Sequence, residues 1–159
     1  MNYVRLYTDG SCDPNPGQGG WGVLVLIFKE NKLMKSLKLQ GYSANTTNNR
    51  MELLACIKAL EYVEFVEKPR SITILSDSQY VVSCIQERWY EKWISKNWHG
   101  VKNPDLWKDF LDRLGRYLRI QFIKVKGHSE NKFNDLADTF ANEASILKIE
   151  KCEPFKIKY

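Results

Sequence analysis

Apolar residues recur along this chain in two rhythms, one of period two and one near 3.6. Tyr3–Thr8 is a β-like run, followed by the Pro/Gly-rich stretch Asp13–Gly20, which reads as a turn. Gly22–Lys29 and Lys32–Gly41 read as a hairpin with Glu30-Asn31 at its tip. Thr47 or Asn48 can then cap a helix whose Leu53, Leu54, Ile57 and Leu60 repeat at helical spacing. Pro69 ends that region, and Ser71–Ser76 is a β-branched strand. Ser78–Gln86 and the tryptophan-rich stretch after it are helical. Pro104 sits where a first helical turn starts, ahead of Leu106, Trp107, Phe110, Leu111 and Leu114. Arg119–Val125 is a fifth strand, and Leu136, Phe140, Ala144 and Leu147 mark a last amphipathic helix. The order β-β-β-α-β-α-α-α-β-α predicts an α/β fold, one mixed five-stranded sheet flanked by helices. Residues 1–150 are expected to form a single domain and 151–159 a loose tail.

Composition narrows the class. The chain has 159 residues, 43% hydrophobic and 27% charged, as in ordinary soluble domains. Its longest apolar run, Val23–Phe28, is too short for a bilayer, and the start on Tyr3–Tyr7 predicts no signal peptide. Cys12, Cys56, Cys84 and Cys152 form no CxxC pair, which points to a reducing, cytoplasmic compartment. A monomer without membrane contact is expected. Gly17-Gln18-Gly19-Gly20-Trp21-Gly22 matches GxGxxG, but strand-forming Val23–Phe28 follows it where a dinucleotide site needs a helix. The glycines are expected in a tight turn near a ligand backbone, and no nucleotide cofactor is expected. Residues 88–126 hold ten Lys or Arg against four Asp or Glu, and four of the five tryptophans. Basic and aromatic residues so interleaved suit a nucleic-acid backbone; the alternative is a helix pair with core tryptophans and solvent-facing lysines.

Candidate chemistry lies in scattered acids. Asp9 and Asp77 end apolar strands, while Glu52 and Asp135 open helical patterns. Carboxylates crowded into one crevice repel unless cations neutralise them, and oxygen-only ligands suit Mg²⁺ or Mn²⁺. Metal-assisted phosphoryl transfer is the expected chemistry. Asp77 could instead cap the helix it precedes, and Asp135 could serve the positive end of the last helix.

Five phrases occur in order: Asp-Gly-Ser-Cys with Asn-Pro-Gly, Thr-Thr-Asn-Asn-Arg-Met-Glu-Leu, Asp-Ser-Gln-Tyr-Val, Val-Lys-Gly-His and Asn-Asp-Leu-Ala-Asp. Over residues 3–145 the chain resembles type 1 ribonuclease H. The resemblance implies a ribonuclease H-like fold that hydrolyses the RNA strand of RNA/DNA hybrids, leaving 5′-phosphate and 3′-hydroxyl ends. It implies two Mg²⁺ ions, replaceable by Mn²⁺, on Asp9, Glu52, Asp77 and Asp135, with Asp9 bridging. His128 matches the family's mobile catalytic histidine, whose imidazole can carry a proton near neutral pH.

By the same resemblance Cys12, Asn15, Asn48, Asn49 and Gln79 would lie along the minor groove, where amide and backbone groups meet the RNA 2′-hydroxyls. Thr47 would lie near a DNA phosphate and Trp89 against a deoxyribose, although Trp89 could be plain core. The connection Trp98–Asn103 is shorter and poorer in lysine than in many members, and the loop from His128 to Asp135 is also shorter. Asn45 stands where some members carry a phosphate-side arginine. Competing readings are a DNA-acting nuclease of the same fold, of resolvase or transposase type, and a non-catalytic hybrid-binding module.

Overall fold

The computed structural model describes residues 2–66, 69, 71–117, 119–126 and 132–157. Strands β1 (Asn2–Cys12), β2 (Gly17–Lys29) and β3 (Lys32–Thr46) form an antiparallel meander. Helix α1 (Asn48–Val66) crosses to β4 (Ser71–Ser76), which pairs parallel with β1. Helices α2 (Gln79–Gln86), α3 (Tyr90–Ser95) and α4 (Pro104–Leu114) lead to β5 (Ile120–Lys124), parallel to β4. Helix α5 (Lys132–Leu147) and β6 (Lys151–Pro154) complete the order β5-β4-β1-β2-β3-β6. This is the expected α/β architecture, a mixed sheet flanked by helices, with six strands instead of five. No helix among the described residues is long and apolar enough to cross a membrane.

The sixth strand lies where the sequence suggests a loose tail. Lys151–Pro154 adds antiparallel to the β3 edge, and Phe155 N–H donates to the Ser36 carbonyl at 2.9 Å. Phe155 packs edge-on against Phe140 of α5 at 5.0 Å, and Ile157 is buried. Lys151, Glu153, Pro154 and Lys156 interrupt any apolar alternation in this stretch; its pairing is decided by an open sheet edge, which local propensity does not report.

Apolar alternation on the strands splits the interior into two layers. Val4, Leu6, Val23, Val25, Ile72 and Ile74 meet Leu53, Cys56, Ile57 and Leu60 of α1, together with Trp107 and Phe110 of α4. Tyr7, Leu24, Leu26 and Leu75 meet Ala137 and Phe140 of α5 on the opposite face. The hairpin tip holds Glu30 at φ 51° and Asn31 at φ 67°, a tight connection matching strand twist.

The glycine run is not a turn. Only residues 13–16 bend, and β2 already begins at Gly17. A Cβ on Gly20 would stand 2.2 Å from the Ala141 carbonyl oxygen, and one on Gly22 would stand 2.4 Å from that of Ala137. What approaches these glycines is the backbone of α5.

Candidate active site

Parallel pairing of β1 with β4 places both carboxyl ends at one edge, with Thr8 opposite Ser76. Asp9 therefore lies one residue beyond that pair, and Asp77 leaves β4 beside it. Ser78, not Asp77, caps α2: its side chain accepts from Val81 N–H at 3.2 Å. Asp77 is thereby left to the crevice. Glu52 reaches the same point from α1, because Gly10 lets that helix come close; a Cβ there would stand 2.4 Å from Glu52 N. Thr47 sets the helix start, its hydroxyl accepting from Arg50 N–H at 3.2 Å.

Carboxylate oxygens of Asp9, Glu52 and Asp77 all lie within 4.8 Å of one another, with Asp9 and Glu52 buried. Burial raises the pKa of Asp9, and the neighbouring Glu52, Asp77 and Asp138 carboxyls raise it further. Burial likewise pushes Glu52 up, with Asp77 and Asp138 adding to the shift. Both acids are thereby held toward their protonated forms, which relieves the cluster. Gly10 N–H donates to Asp9 Oδ1 at 2.9 Å, while Glu52 Oε2 is buried with no hydrogen-bond partner. An all-oxygen donor set with an orphaned buried oxygen fits a hard divalent cation.

The structure does not bring the fourth acid of the sequence reading to the other three. Asp135 is exposed and lines a cleft with Lys132, Leu136, Thr139, Phe155, Lys156 and Ile157, away from the other carboxylates. Asp138, one turn later on α5, lies close enough to Asp9 for its carboxyl to help raise the Asp9 pKa. Three residues turn a helix through roughly 300°, which leaves the two acids about 60° apart around α5, enough for one to border the buried stripe and the other to lie outside it. Asp138 follows Ala137 and precedes Ala141, the small residues seated on Gly22, which pairs with Asp9 in the ladder. Helical phase was the missed signal. Asn134, Ala137, Phe140, Ala141 and Ala144 are buried, and Asp138 borders that stripe where Asp135 does not. The shortened loop inferred from the sequence is tied to Asp135; counted to Asp138, the connection gains three residues. His128 and that loop lie outside the described residues.

Around the crevice, Asn15 Oδ1 accepts from Asn48 N–H at 3.2 Å, bringing the β1–β2 turn to the start of α1. Asn49 is exposed on the first turn of that helix. Cys12 is buried, its thiol donating to the carbonyls of Pro14 and Thr46 at 3.4 and 3.5 Å, so only its backbone can face a ligand. Gln79 opens α2 next to Asp77. A separate cleft of about 360 Å³ is lined by Pro16, Gly17, Asn45, Thr46, Thr47 and Arg50. Arg50 is the basic residue of this cleft. It binds both oxygens of Asp105 at 3.0 and 2.8 Å and reaches Asn103 at 3.3 Å, tying α1 to α4.

The tryptophans divide between the two sequence readings. Trp107 is fully buried against Phe110 and Trp93, and its Nε1 donates to Tyr80 Oη at 2.7 Å. Trp93 and Trp98 pack on the same core. Trp89 is 42% exposed at the head of α3, beside the basic Arg88 and Lys92. It is a surface residue, not core.

The model of the family described as RNase H matches residues 1–146. A protein named ribonuclease H from Chlorobium phaeobacteroides (strain BS1) is 44% identical over 146 residues, spanning 89% of this chain and 94% of its own length. Another from Thermoanaerobacter sp. (strain X514) is 41% identical over 148 residues, 90% of each chain. Among solved structures, LC9-RNase H1, described as a type 1 RNase H with the type 2 active-site motif, superposes at TM-score 0.86 and 23% identity, over 98% of this chain and 78% of its own. LC11-RNase H1, solved in complex with an RNA/DNA hybrid, superposes at TM-score 0.61 and 25% identity, over 91% of this chain and 98% of its own.

Proposed function

The chain belongs to the ribonuclease H family, and from that premise we propose that it cleaves the RNA strand of RNA/DNA hybrids on divalent cations held by Asp9, Glu52, Asp77 and Asp138. The observation that carries this reading is the convergence of three carboxylates within 4.8 Å at the ends of β1 and β4, with Asp138 brought close to Asp9 from α5. Asp138 replaces Asp135 in the ligand set. Two Mg²⁺ ions per site, or Mn²⁺ in their place, would supply charge neutralisation, a hydroxide from bound water and stabilisation of the leaving 3′ oxygen.

The chain's own residues do the rest. Asp9 and Glu52 would hold the cations in their ionised forms. Asn15, Asn48, Asn49 and Gln79, with the backbone at Cys12, line the approach where RNA 2′-hydroxyls are read. Thr47 and Arg50 border the cleft suited to a phosphate of the DNA strand, and Trp89 offers an exposed ring to a deoxyribose. His128 carries a proton to the leaving oxygen or helps products depart. Products end in 5′-phosphate and 3′-hydroxyl. The protein works as a cytoplasmic monomer without a nucleotide cofactor.

A labelled RNA/DNA hybrid, DNA duplex and RNA duplex, each with Mg²⁺ and with chelator, test the proposal. Cleavage of the hybrid alone, stopped by chelator, is the expected result. Cutting of DNA duplex, or hybrid binding without cleavage, would replace this reading with one of its competitors.

A further inference from the structure

Gln79 is held at both ends of its amide. It opens α2, and Lys124 closes β5 directly across from Ser76, so the two side chains meet beside Asp77. Lys124 Nζ donates to Gln79 Oε1, and Gln79 Nε2 donates to Ser83 Oγ one turn further along the helix. An ammonium has donors only, so the amide atom facing Lys124 is the oxygen and the nitrogen faces Ser83. The amide flip is thereby fixed by chemistry. A primary amide carries two N–H donors and two acceptor lone pairs. One of each is engaged here, which leaves one donor and one acceptor for a ligand. Lys124 also lines a cleft of about 400 Å³ with Asp77, Val125 and Lys126, open to the same crevice.

We propose that Lys124, with Ser83, is a positioning residue that orients the Gln79 amide for the 2′-hydroxyl of the RNA strand and so contributes to choosing RNA over DNA. This rests on the hybrid-cleaving reading above. Without Lys124 the amide is free to turn over, and its remaining donor and acceptor no longer stand in a fixed order. A hydroxyl that both donates and accepts is sensitive to that order, whereas a DNA strand lacks the hydroxyl and is not.

The test measures equilibrium binding in Ca²⁺ of an RNA/DNA hybrid and a DNA duplex of the same sequence, over a range of salt. Lys124→Met should lower hybrid affinity about fivefold, the worth of one ordinary hydrogen bond, with a smaller effect on DNA duplex. Lys124→Arg, which keeps a donor, should restore the hybrid preference. Ser83→Ala should lower it in the same direction. In a Gln79→Ala background Lys124→Met should no longer change the preference. The proposal is overturned if Lys124→Met leaves the preference unchanged. It is also overturned if both affinities fall alike with a salt slope shallower by ~0.9, the mark of a plain phosphate contact. A loss that persists in the Gln79→Ala background overturns it as well. A wild-type protein with no preference for hybrid overturns the functional reading together with this one, which separates the two failures.

Discussion

Replacing Asp9 by Asn should stabilise the metal-free protein while abolishing catalysis. With ligand oxygens of Asp9, Glu52 and Asp77 no more than 4.8 Å apart, each ionised pair repels by about 3.5 kcal/mol at an effective dielectric of 20. Three such pairs sum to about 10 kcal/mol, comparable to the whole stability of a domain. The metal-free site therefore keeps a proton on Asp9 and Glu52, as their raised pKa values indicate. Unfolded, both acids ionise near pH 4, so between pH 4 and their raised values the native state binds the extra protons. Stability from this source is complete below the unfolded values and declines as pH rises, by up to ~1.4 kcal/mol per unit and group. An amide at position 9 never ionises and removes one such group. Allowing for relaxation, Asp9→Asn should gain about 2–4 kcal/mol at pH 8 in chelator, or roughly 5–12 °C in Tm, and almost nothing at pH 4. In Mg²⁺ the order narrows or reverses, because only the wild type gains from binding the ion. Thermal melts at both pH values, with chelator and with Mg²⁺, decide it. Equal melting of the two proteins in chelator from pH 4 to pH 8 would refute the account of a protonated metal-free site.

The two acids of α5 are separated by paired variants. Asp138→Asn should lower Mg²⁺-dependent cleavage at least ~10-fold, whereas Asp135→Asn should stay within about twofold of wild type in steady-state assays. Gly22→Ala drives a methyl against the Ala137 carbonyl and should cost about 1–3 kcal/mol in denaturant titration; turnover should fall too, because α5 must move and carries Asp138 with it. Phe155→Ala strips the edge-on contact with Phe140 and should lower stability by about 2 kcal/mol, a loss that a truly loose tail would not show. His128→Ala should retain measurable cleavage at about 10²-fold reduced rate; complete inactivity with metal binding intact would give this imidazole a larger role.

What the sequence made legible, and what it hid, follows from which forces are local. Strand alternation and helix caps act within a few residues, so β1, β4, the Thr47 cap and the α4 start at Pro104 could be read directly. Asp9, Glu52 and Asp77 were legible for a related reason. Each sits at an element boundary, and the parallel neighbours β1 and β4 must deliver their carboxyl ends to one edge. The choice between Asp135 and Asp138 depends on something the chain does not state locally, namely which face of α5 meets the sheet. That face is set by Gly20 and Gly22 on β2, more than a hundred residues away, whose missing side chains admit Ala137 and Ala141. Once those glycines are seen as a seat for a helix instead of a turn for a ligand, the phase of α5 is determined and Asp138 is the acid that faces Asp9. The turn assigned to the glycine run and the choice of Asp135 within Asn-Asp-Leu-Ala-Asp thus both depend on a contact, β2 against α5, that neither phrase states locally. β6 escaped for a different reason. Its residues are mostly polar, its partner β3 is an edge, and its ties to the helix are long-range ones: the clamp of Lys38 on Glu143 and Glu153 at 3.4 and 3.1 Å and the Phe155–Phe140 contact. Lys38 also lies 5.6 Å from the centre of the Phe140 ring. Gln40 Nε2, buried on the same strand, donates to the Phe140 carbonyl at 2.9 Å. The helix that carries the fourth carboxylate is therefore fixed on one side by absent side chains and on the other by long polar ones, and either set can be changed without touching an acid.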